Sequence, residues 1–190
     1  MIPQWTADGL IPPIQPNQPG HSLERSPYLA ELHEVVEYFA ISPERRNILR
    51  GFLKYREQLY ASGITVGFQW LDGSFVEHIE ILESRPPRDI DVVTFFQPPP
   101  GETQESLYNT NPDLFKPGYL KAQYQVDGYY QELGKVMNIN DVGQVSYWYS
   151  MWSHRRTGTW KGFVQVNLDP NEDKAALALL KVKEQEGAWS

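Results

Sequence analysis

The chain has 190 residues, of which 41% are hydrophobic, 22% charged and 13% aromatic, and its formal net charge is -7. This composition is typical of one globular domain with a single core. The acidic balance argues against a protein that holds long nucleic acid through an overall basic field. Because the sequence has no cysteine, it excludes disulfides, thiolate catalysis and zinc sites built on sulfur.

The N-terminal residues carry no targeting signal that we can identify. Met1–Trp5 has neither a basic region nor an apolar one. No stretch approaches the roughly 18 apolar residues that a membrane helix needs. We therefore expect a cytoplasmic protein that does not enter the membrane.

A proline-rich arm is predicted over residues 1–27, ahead of a domain over residues 28–190. The arm holds six of the 15 prolines, which prevents a long helix or strand. Two alternatives stand for it. It is a mobile tail, or it packs against the domain or a partner through its apolar residues, Trp5, Leu10, Ile11 and Ile14.

Helical periodicity begins at Tyr28 and predicts a first helix. A second helix is predicted over residues 43–62, since Ser42 is a good N-cap, Pro43 suits the first helical position and Gly63 is a suitable stop. A last helix is predicted to open at Asp169-Pro170 and to end before Gly187.

Apolar runs predict strands over residues 65–71, 89–96 and 119–130, followed by a hairpin that joins residues 147–152 to residues 160–168. The polar segment 97–118 is too long for an idle loop. We expect it to hold a short helix, over residues 105–109 or 112–115, and to act as a lid or as an acceptor-binding insertion.

Two carboxylates alternate at the start of the second predicted strand. Because side chains on a strand alternate between faces, Asp89 and Asp91 lie on one face while Ile90 enters the core. Two adjacent like charges favour a cation between them, and Mg²⁺ prefers oxygen ligands and takes others from substrate phosphates. The pattern predicts a magnesium site.

A glycine-serine turn ends the strand before this pair. Gly73 allows the backbone to bend and to approach a ligand, and a helix starting near Ser74 would direct N–H groups at a phosphate. Magnesium-dependent transfer at phosphorus commonly uses a third carboxylate, and Asp127 is our candidate because it interrupts an apolar strand pattern. The weaker alternatives are Asp72, Glu77, Asp113 and Asp141; acidic residues placed like Asp72 often serve only as turn formers.

Three basic residues near the late hairpin are candidate nucleotide-binding groups. Arg155, Arg156 and Lys161 carry charges suited to phosphate. The alternative is that they form a solvated hairpin face. The many tyrosines and tryptophans nearby are more consistent with packing than with stacking on a base.

The segments 69–77 and 88–93 resemble the polymerase-beta-type nucleotidyltransferase superfamily, whose signature is an apolar residue, Gly, Gly or Ser, a spacer, and then acidic-apolar-acidic. The whole chain also resembles an uncharacterised bacterial nucleotidyltransferase-like family. That likeness extends to four further motifs: Leu10-Ile11-Pro12-Pro13, Arg25-Ser26-Pro27-Tyr28, Val126-Asp127 and Trp160-Lys161-Gly162-Phe163-Val164. The 14 residues between Ser74 and Asp89 exceed the spacer of the minimal stand-alone members.

The resemblance implies an α+β, polymerase-beta-like fold with a mixed or antiparallel sheet and helices mainly on one face. It implies that Gly73 and Ser74 hold the triphosphate of an NTP, most simply ATP. It further implies that Asp89, Asp91 and Asp127 hold Mg²⁺, with a two-metal site expected, and catalyse transfer of a nucleoside monophosphate to a hydroxyl.

A partner protein is one acceptor that the resemblance suggests, as in toxin-antitoxin or defence systems. The alternative function is a non-catalytic antitoxin or scaffold that keeps the fold and acts through protein binding.

Overall fold

A mixed five-stranded sheet forms the centre of the protein in the computed structural model, which describes residues 1–186. The strands are β1 (Tyr28–Leu29), β2 (Gly67–Asp72), β3 (Ile90–Phe96), β4 (Val126–Glu132) and β5 (Val164–Asn167). The helices are α1 (Leu32–Phe39), α2 (Pro43–Ala61), α3 (Ile79–Glu83), α4 (Gln104–Thr110), α5 (Pro117–Tyr124), α6 (Ile139–Trp152) and α7 (Pro170–Glu186). Two 3-10 turns cover Gly73–Phe75 and Pro112–Phe115.

The strand order is β1-β5-β2-β3-β4. The central strand β2 runs antiparallel to both β3 and β5, whereas β4 is parallel to β3 and β1 is parallel to β5. The expected α+β class with a mixed sheet is therefore confirmed. None of the helices formed by residues 1–186 is long and apolar enough to cross a membrane.

Alternation along β3 separates two cores. Ile90 and Val92 belong to a cluster shared with apolar residues of α1, α2, α5 and α7. Val93 and Phe95 belong to a second cluster, which also holds two tryptophans of α6. Since successive side chains point to opposite faces of a strand, helices α1, α2, α5 and α7 cover one face of the sheet and α6 covers the other.

The predicted strand over residues 119–130 is correct only from Val126, where β4 begins, and the predicted strand over residues 147–152 was wrong. Residues 117–124 form α5, because Pro117 occupies the first helical position and Leu120 is buried beneath the helix. Residues 139–152 form α6, whose N-cap Asn138 accepts hydrogen bonds from the backbone N–H groups of Asn140 and Asp141. No hairpin forms from residues 147–152. The β-propensity of tyrosine and tryptophan is overridden because Trp148 and Trp152, four residues apart, pack on the sheet.

Several predicted boundaries are close to those observed. Ser42 caps α2 by accepting from the N–H of Arg45, and Gly63 follows its end with φ of +89°. The last helix opens at Pro170 as predicted, whereas the stop at Gly187 lies outside the described residues. The first helix starts at Leu32 instead of Tyr28, because the intervening residues pair with β5 as strand β1.

Segment 97–118 contains both alternatives, α4 and the second 3-10 turn. Leu107 and Leu114 from these elements are buried in the larger core. The hydroxyl of Tyr130 also donates to the carbonyl of Leu114. The segment thus packs against the sheet edge formed by β4.

The N-terminal arm packs against the domain. Leu10 and Ile11 are buried. The indole N–H of Trp5 donates to the carbonyl of Val76 at 2.8 Å, and its ring stacks on His78 with centroids 4.4 Å apart. The second alternative for the arm therefore describes this chain, and the arm supports the segment that follows β2.

Candidate active site

Three aspartates lie in a row where β2, β3 and β4 meet. Asp72 is the register partner of Asp91, and Asp91 is the register partner of Asp127. Register partners project to the same face of a sheet, so the three carboxylates share the face covered by α6. Asp89 precedes Asp91 by two residues and joins the row.

The turn after β2 lies directly against the middle carboxylate of this row. Gly73 has φ of +80°, and a Cβ added there would lie 2.2 Å from Oδ2 of Asp91. A glycine is required because any side chain would displace Asp91. The helix predicted to begin near Ser74 is a 3-10 turn of residues 73–75, and α3 starts only at Ile79.

A buried arginine fixes the shape of this turn. Arg45 of α2 is fully buried and donates to the carbonyls of Phe75, at 2.6 Å, and Glu77. It also pairs with the carboxylate of Glu80 at 2.6 Å. Helix α2 therefore holds the backbone that carries Gly73 and Ser74.

All eight predicted site residues line one open cleft of about 700 Å³. They are Gly73, Ser74, Asp89, Asp91, Asp127, Arg155, Arg156 and Lys161. A cleft of this volume lies in the range of pockets that bury small-molecule ligands. No residue of segment 97–118 lines it, so the predicted lid or acceptor-binding role of that segment has no contact with the cleft in this conformation.

Lys161 is buried in the cleft wall, which corrects the alternative of a solvated hairpin face for this residue. Its Nζ lies 2.8 Å from Oδ1 of Asp72, 3.1 Å from Oε1 of Glu77 and 3.4 Å from the carbonyl oxygen of Gly73. Burial opposes its charge, but the two carboxylates raise the pKa of Lys161 above its usual value. The ammonium thus ties the segment before β5 to the glycine-serine turn.

The two predicted arginines differ in their surroundings. Arg155 places its Nε 3.1 Å from Oε2 of Glu77 and also pairs with Glu83. Arg156 is exposed, lines the cleft and makes no ion pair with any of residues 1–186. Arg156 is therefore the freer of the two to meet an anionic ligand.

Asp91 is the least compensated carboxylate of the cleft. It is half-buried and has no ion pair or side-chain hydrogen bond with residues 1–186. Burial, followed by the charges of Asp72, Asp89 and Asp127, raises the pKa of Asp91 to about 7. Asp72, which is more buried, has its pKa raised by burial to about 6, although Lys161 opposes this. The cleft floor therefore favours an added cation.

Lys121 is a cleft residue that the sequence prediction missed. Its Nζ lies 2.6 Å from Oδ2 of Asp89 and 3.5 Å from Oδ2 of Asp127. Assigning residues 119–130 to a strand hid its position on α5. The signal that was available is Pro117, a residue typical of the first position of a helix.

Asp72 was predicted to be a weaker candidate, because residues placed like it often only form turns. It lies in the row of aspartates instead. The alternation of Phe68, Trp70 and Asp72 along β2 was the signal that placed it on the same face. Of the other weaker alternatives, Glu77 lines the cleft, whereas Asp113 and Asp141 do not. Asp113 pairs with Lys116 away from the cleft, and Asp141 belongs to the N-cap of α6.

The carboxylates of the cleft fit a magnesium ion by donor type. Across residues 1–186, no group of three or more carboxylate or histidine side chains is already arranged to hold a metal ion. The donors are nevertheless oxygen atoms alone, which is the set Mg²⁺ prefers, and the charges of three other carboxylates act on Asp91. Substrate phosphates commonly complete such sites.

Comparison with protein families adds one match. Residues 3–167 match the model of a family described as a family of unknown function, DUF6932. The chain belongs to this family. The matched range covers all five strands and every predicted cleft residue, and leaves α7 outside. Comparisons with curated proteins and with solved structures found no match.

Proposed function

We propose that this protein is a Mg²⁺-dependent nucleotidyltransferase that transfers a nucleoside monophosphate from an NTP, with ATP expected, to a hydroxyl group. The observation that carries the proposal is the register of Asp72, Asp91 and Asp127 beside Gly73. A row of carboxylates next to a backbone turn is suited to a cation and a phosphate chain together.

The order of elements supports a polymerase-beta-like fold as part of this proposal. The glycine-serine turn follows β2, the Asp-Ile-Asp pattern opens β3, and Asp127 opens β4, which is parallel to β3. The superfamily that the sequence resembles joins the same motifs in the same order. The helices that cover the opposite face keep these three strand ends in place.

Each of the eight predicted cleft residues has a proposed role. Asp89, Asp91 and Asp127 would hold Mg²⁺, which when bound neutralises phosphate charge. The hydroxyl of Ser74 and the backbone at Gly73 bind the triphosphate, and Arg156 adds a charged donor. Lys161 and Arg155, tied to carboxylates of the turn, hold that turn in position.

The reaction forms one bond and breaks another at the α-phosphorus. The acceptor oxygen bonds to this atom while the bond to the bridging oxygen of the β-phosphate breaks, so pyrophosphate leaves. The acceptor proton passes to a carboxylate oxygen of Asp127, which acts as general base. The acceptor oxygen and the leaving oxygen lie on opposite sides of the phosphorus, as in-line displacement requires.

A protein hydroxyl is the acceptor that we favour. The net charge of -7 disfavours binding of long RNA or DNA. A partner protein modified by this chain, as in toxin-antitoxin or defence systems, is consistent with that charge.

The test is transfer of label from α-labelled ATP with Mg²⁺ to protein in a bacterial extract. We expect wild-type protein to label an acceptor and Asp89→Asn or Asp91→Asn to lower the rate by about 10²-fold or more, because charged groups at reacting centres contribute on this scale. Asp113→Asn, which changes a carboxylate outside the cleft, is the matched control and should label normally. Equal labelling by wild type and both cleft variants would reject catalysis.

The second candidate is a non-catalytic binding protein, and one observation favours it. The ammonium of Lys121 bridges Asp89 and Asp127, and so compensates two of the three proposed metal ligands within the chain. A scaffold that no longer binds a metal would need such compensation. In that case ATP and Mg²⁺ leave the thermal midpoint of the protein unchanged.

A further inference from the structure

The cleft holds two lysines in different circumstances. The side chain of Lys161 is only 4% exposed, and it pairs with Asp72 and Glu77. The side chain of Lys121 is 53% exposed and pairs with Asp89 and Asp127. The first lysine is part of the packed wall, whereas the second is reached by solvent.

We propose that Lys121 sets the divalent-cation affinity of the cleft by competing, as a resident cation, for the carboxylate oxygens of Asp89 and Asp127. The inference rests on the proposed function, because it assigns the metal to Asp89, Asp91 and Asp127. It adds a residue that no sequence motif indicated and a direction for its effect.

Competition follows from the contacts. Nζ of Lys121 lies 2.6 Å from Oδ2 of Asp89, which is a close ion pair. Its 3.5 Å separation from Oδ2 of Asp127 places the same ammonium between both carboxylates. A divalent cation bound by these oxygens would meet the ammonium at close range, so one cation excludes the other.

The side chain of Lys121 can move away from Asp89 and Asp127 without loss of core packing. Its neighbour Leu120 is fully buried and anchors α5 on the larger core. Lys121 lies on the exposed side of that helix and has a long, flexible side chain. Displacement by a metal therefore needs a change of rotamer and no movement of the helix. Asp91 has no ion pair with residues 1–186 and stays available to the incoming ion.

The test is the affinity for Mn²⁺, measured by electron paramagnetic resonance of the free ion and by calorimetry, with metal alone as the probe. We expect Lys121→Met to bind Mn²⁺ about ten-fold more tightly than wild type, within the usual range for coupled binding. Lys116→Met is the matched control, because Lys116 pairs with Asp113 outside the cleft, and it should bind as wild type does.

A second measurement keeps the test independent of activity. Without metal, Lys121→Met should have a lower thermal midpoint than wild type, because Asp89 and Asp127 lose their partner. Mn²⁺ should then raise the midpoint of this variant by more than it raises that of wild type. A variant that binds Mn²⁺ as tightly as wild type, or more weakly, would overturn the inference.

The outcomes also separate this inference from the proposed function. Tighter Mn²⁺ binding by Lys121→Met with no transfer of label would support the inference and reject the catalytic proposal. Transfer of label with unchanged Mn²⁺ affinity would do the reverse. Failure of both proteins to bind Mn²⁺ would overturn the inference and the proposed metal site together.

Discussion

Two charged side chains on opposite faces of the sheet differ in how fully their charges are compensated. On the face covered by α2 and α7, Arg56 is fully buried and each nitrogen of its guanidinium donates a hydrogen bond. The acceptors are Asp173, Gln69, the hydroxyl of Tyr60 and the carbonyl of Asn167. On the face covered by α6, Asp91 has neighbouring carboxylates and, within residues 1–186, no ion pair. Compensated charge supports the fold, and uncompensated charge indicates a place for a ligand.

The largest expected effect comes from removing the compensated charge, Arg56. Arg56→Met leaves the carboxylate of Asp173, whose side chain is 13% exposed, without its charged partner. Removing one member of a buried pair lowers the free energy of unfolding by about 3–5 kcal/mol. Urea unfolding followed by circular dichroism measures this loss.

An exposed arginine on the same helix provides the control. Arg50 pairs with Glu184, and its side chain is 40% exposed. Arg50→Met should lower the free energy of unfolding by less than about 1 kcal/mol, as for other surface pairs. Equal losses of unfolding free energy in the two variants would show that buried Arg56 stabilises the fold no more than exposed Arg50 does.

A substitution of Asp91 in the cleft should change the free energy of unfolding in the opposite direction. The pKa of Asp91 is about 7 in the folded protein against an ordinary 3.8, so the folded state binds its proton more tightly. Ionisation therefore destabilises the metal-free protein as pH rises from about 4 to about 7, and the penalty is constant above. Asp91→Asn removes the penalty.

We expect Asp91→Asn to raise the free energy of unfolding by about 1–2 kcal/mol at pH 8 in the presence of a chelator, a value reduced for the openness of the cleft. The gain should shrink as pH falls toward 4. Unfolding curves of both proteins across this range measure it. A variant less stable than wild type at pH 8 would mean that Asp91 is compensated in the free protein.

The smallest expected effect concerns helix α2, whose arginines reach both the larger core and the turn at the cleft. Helix α2 carries Arg56 toward the core and Arg45 toward the cleft turn, and Ser42 caps it. Ser42→Ala should lower the free energy of unfolding by about 1 kcal/mol. Mn²⁺ affinity should stay at the wild-type value, since the cap does not touch the cleft. A change in affinity would show that the helix end tunes the site.

Local signals explain which parts were predictable. The caps of α2 and the Asp-Ile-Asp alternation depend on neighbours in sequence, and both lie where the patterns placed them. Helix α6 was mispredicted because tyrosine and tryptophan favour strands unless tertiary packing decides otherwise. The pairing of Asp72 with Asp91 and of Lys121 with Asp89 depends on strand register and on the docking of α5. Such long-range contacts leave no pattern in a single sequence.

The most direct test of the central claim is calorimetric binding of ATP with and without Mg²⁺ to wild type, Asp91→Asn and Asp113→Asn. We expect wild type and Asp113→Asn to bind ATP in a Mg²⁺-dependent manner, and Asp91→Asn to lose that dependence, because Asp91 is the uncompensated carboxylate of the cleft. ATP binding that is absent from wild type, or equal in all three proteins with and without Mg²⁺, would contradict the assignment of this cleft as a magnesium and nucleotide site.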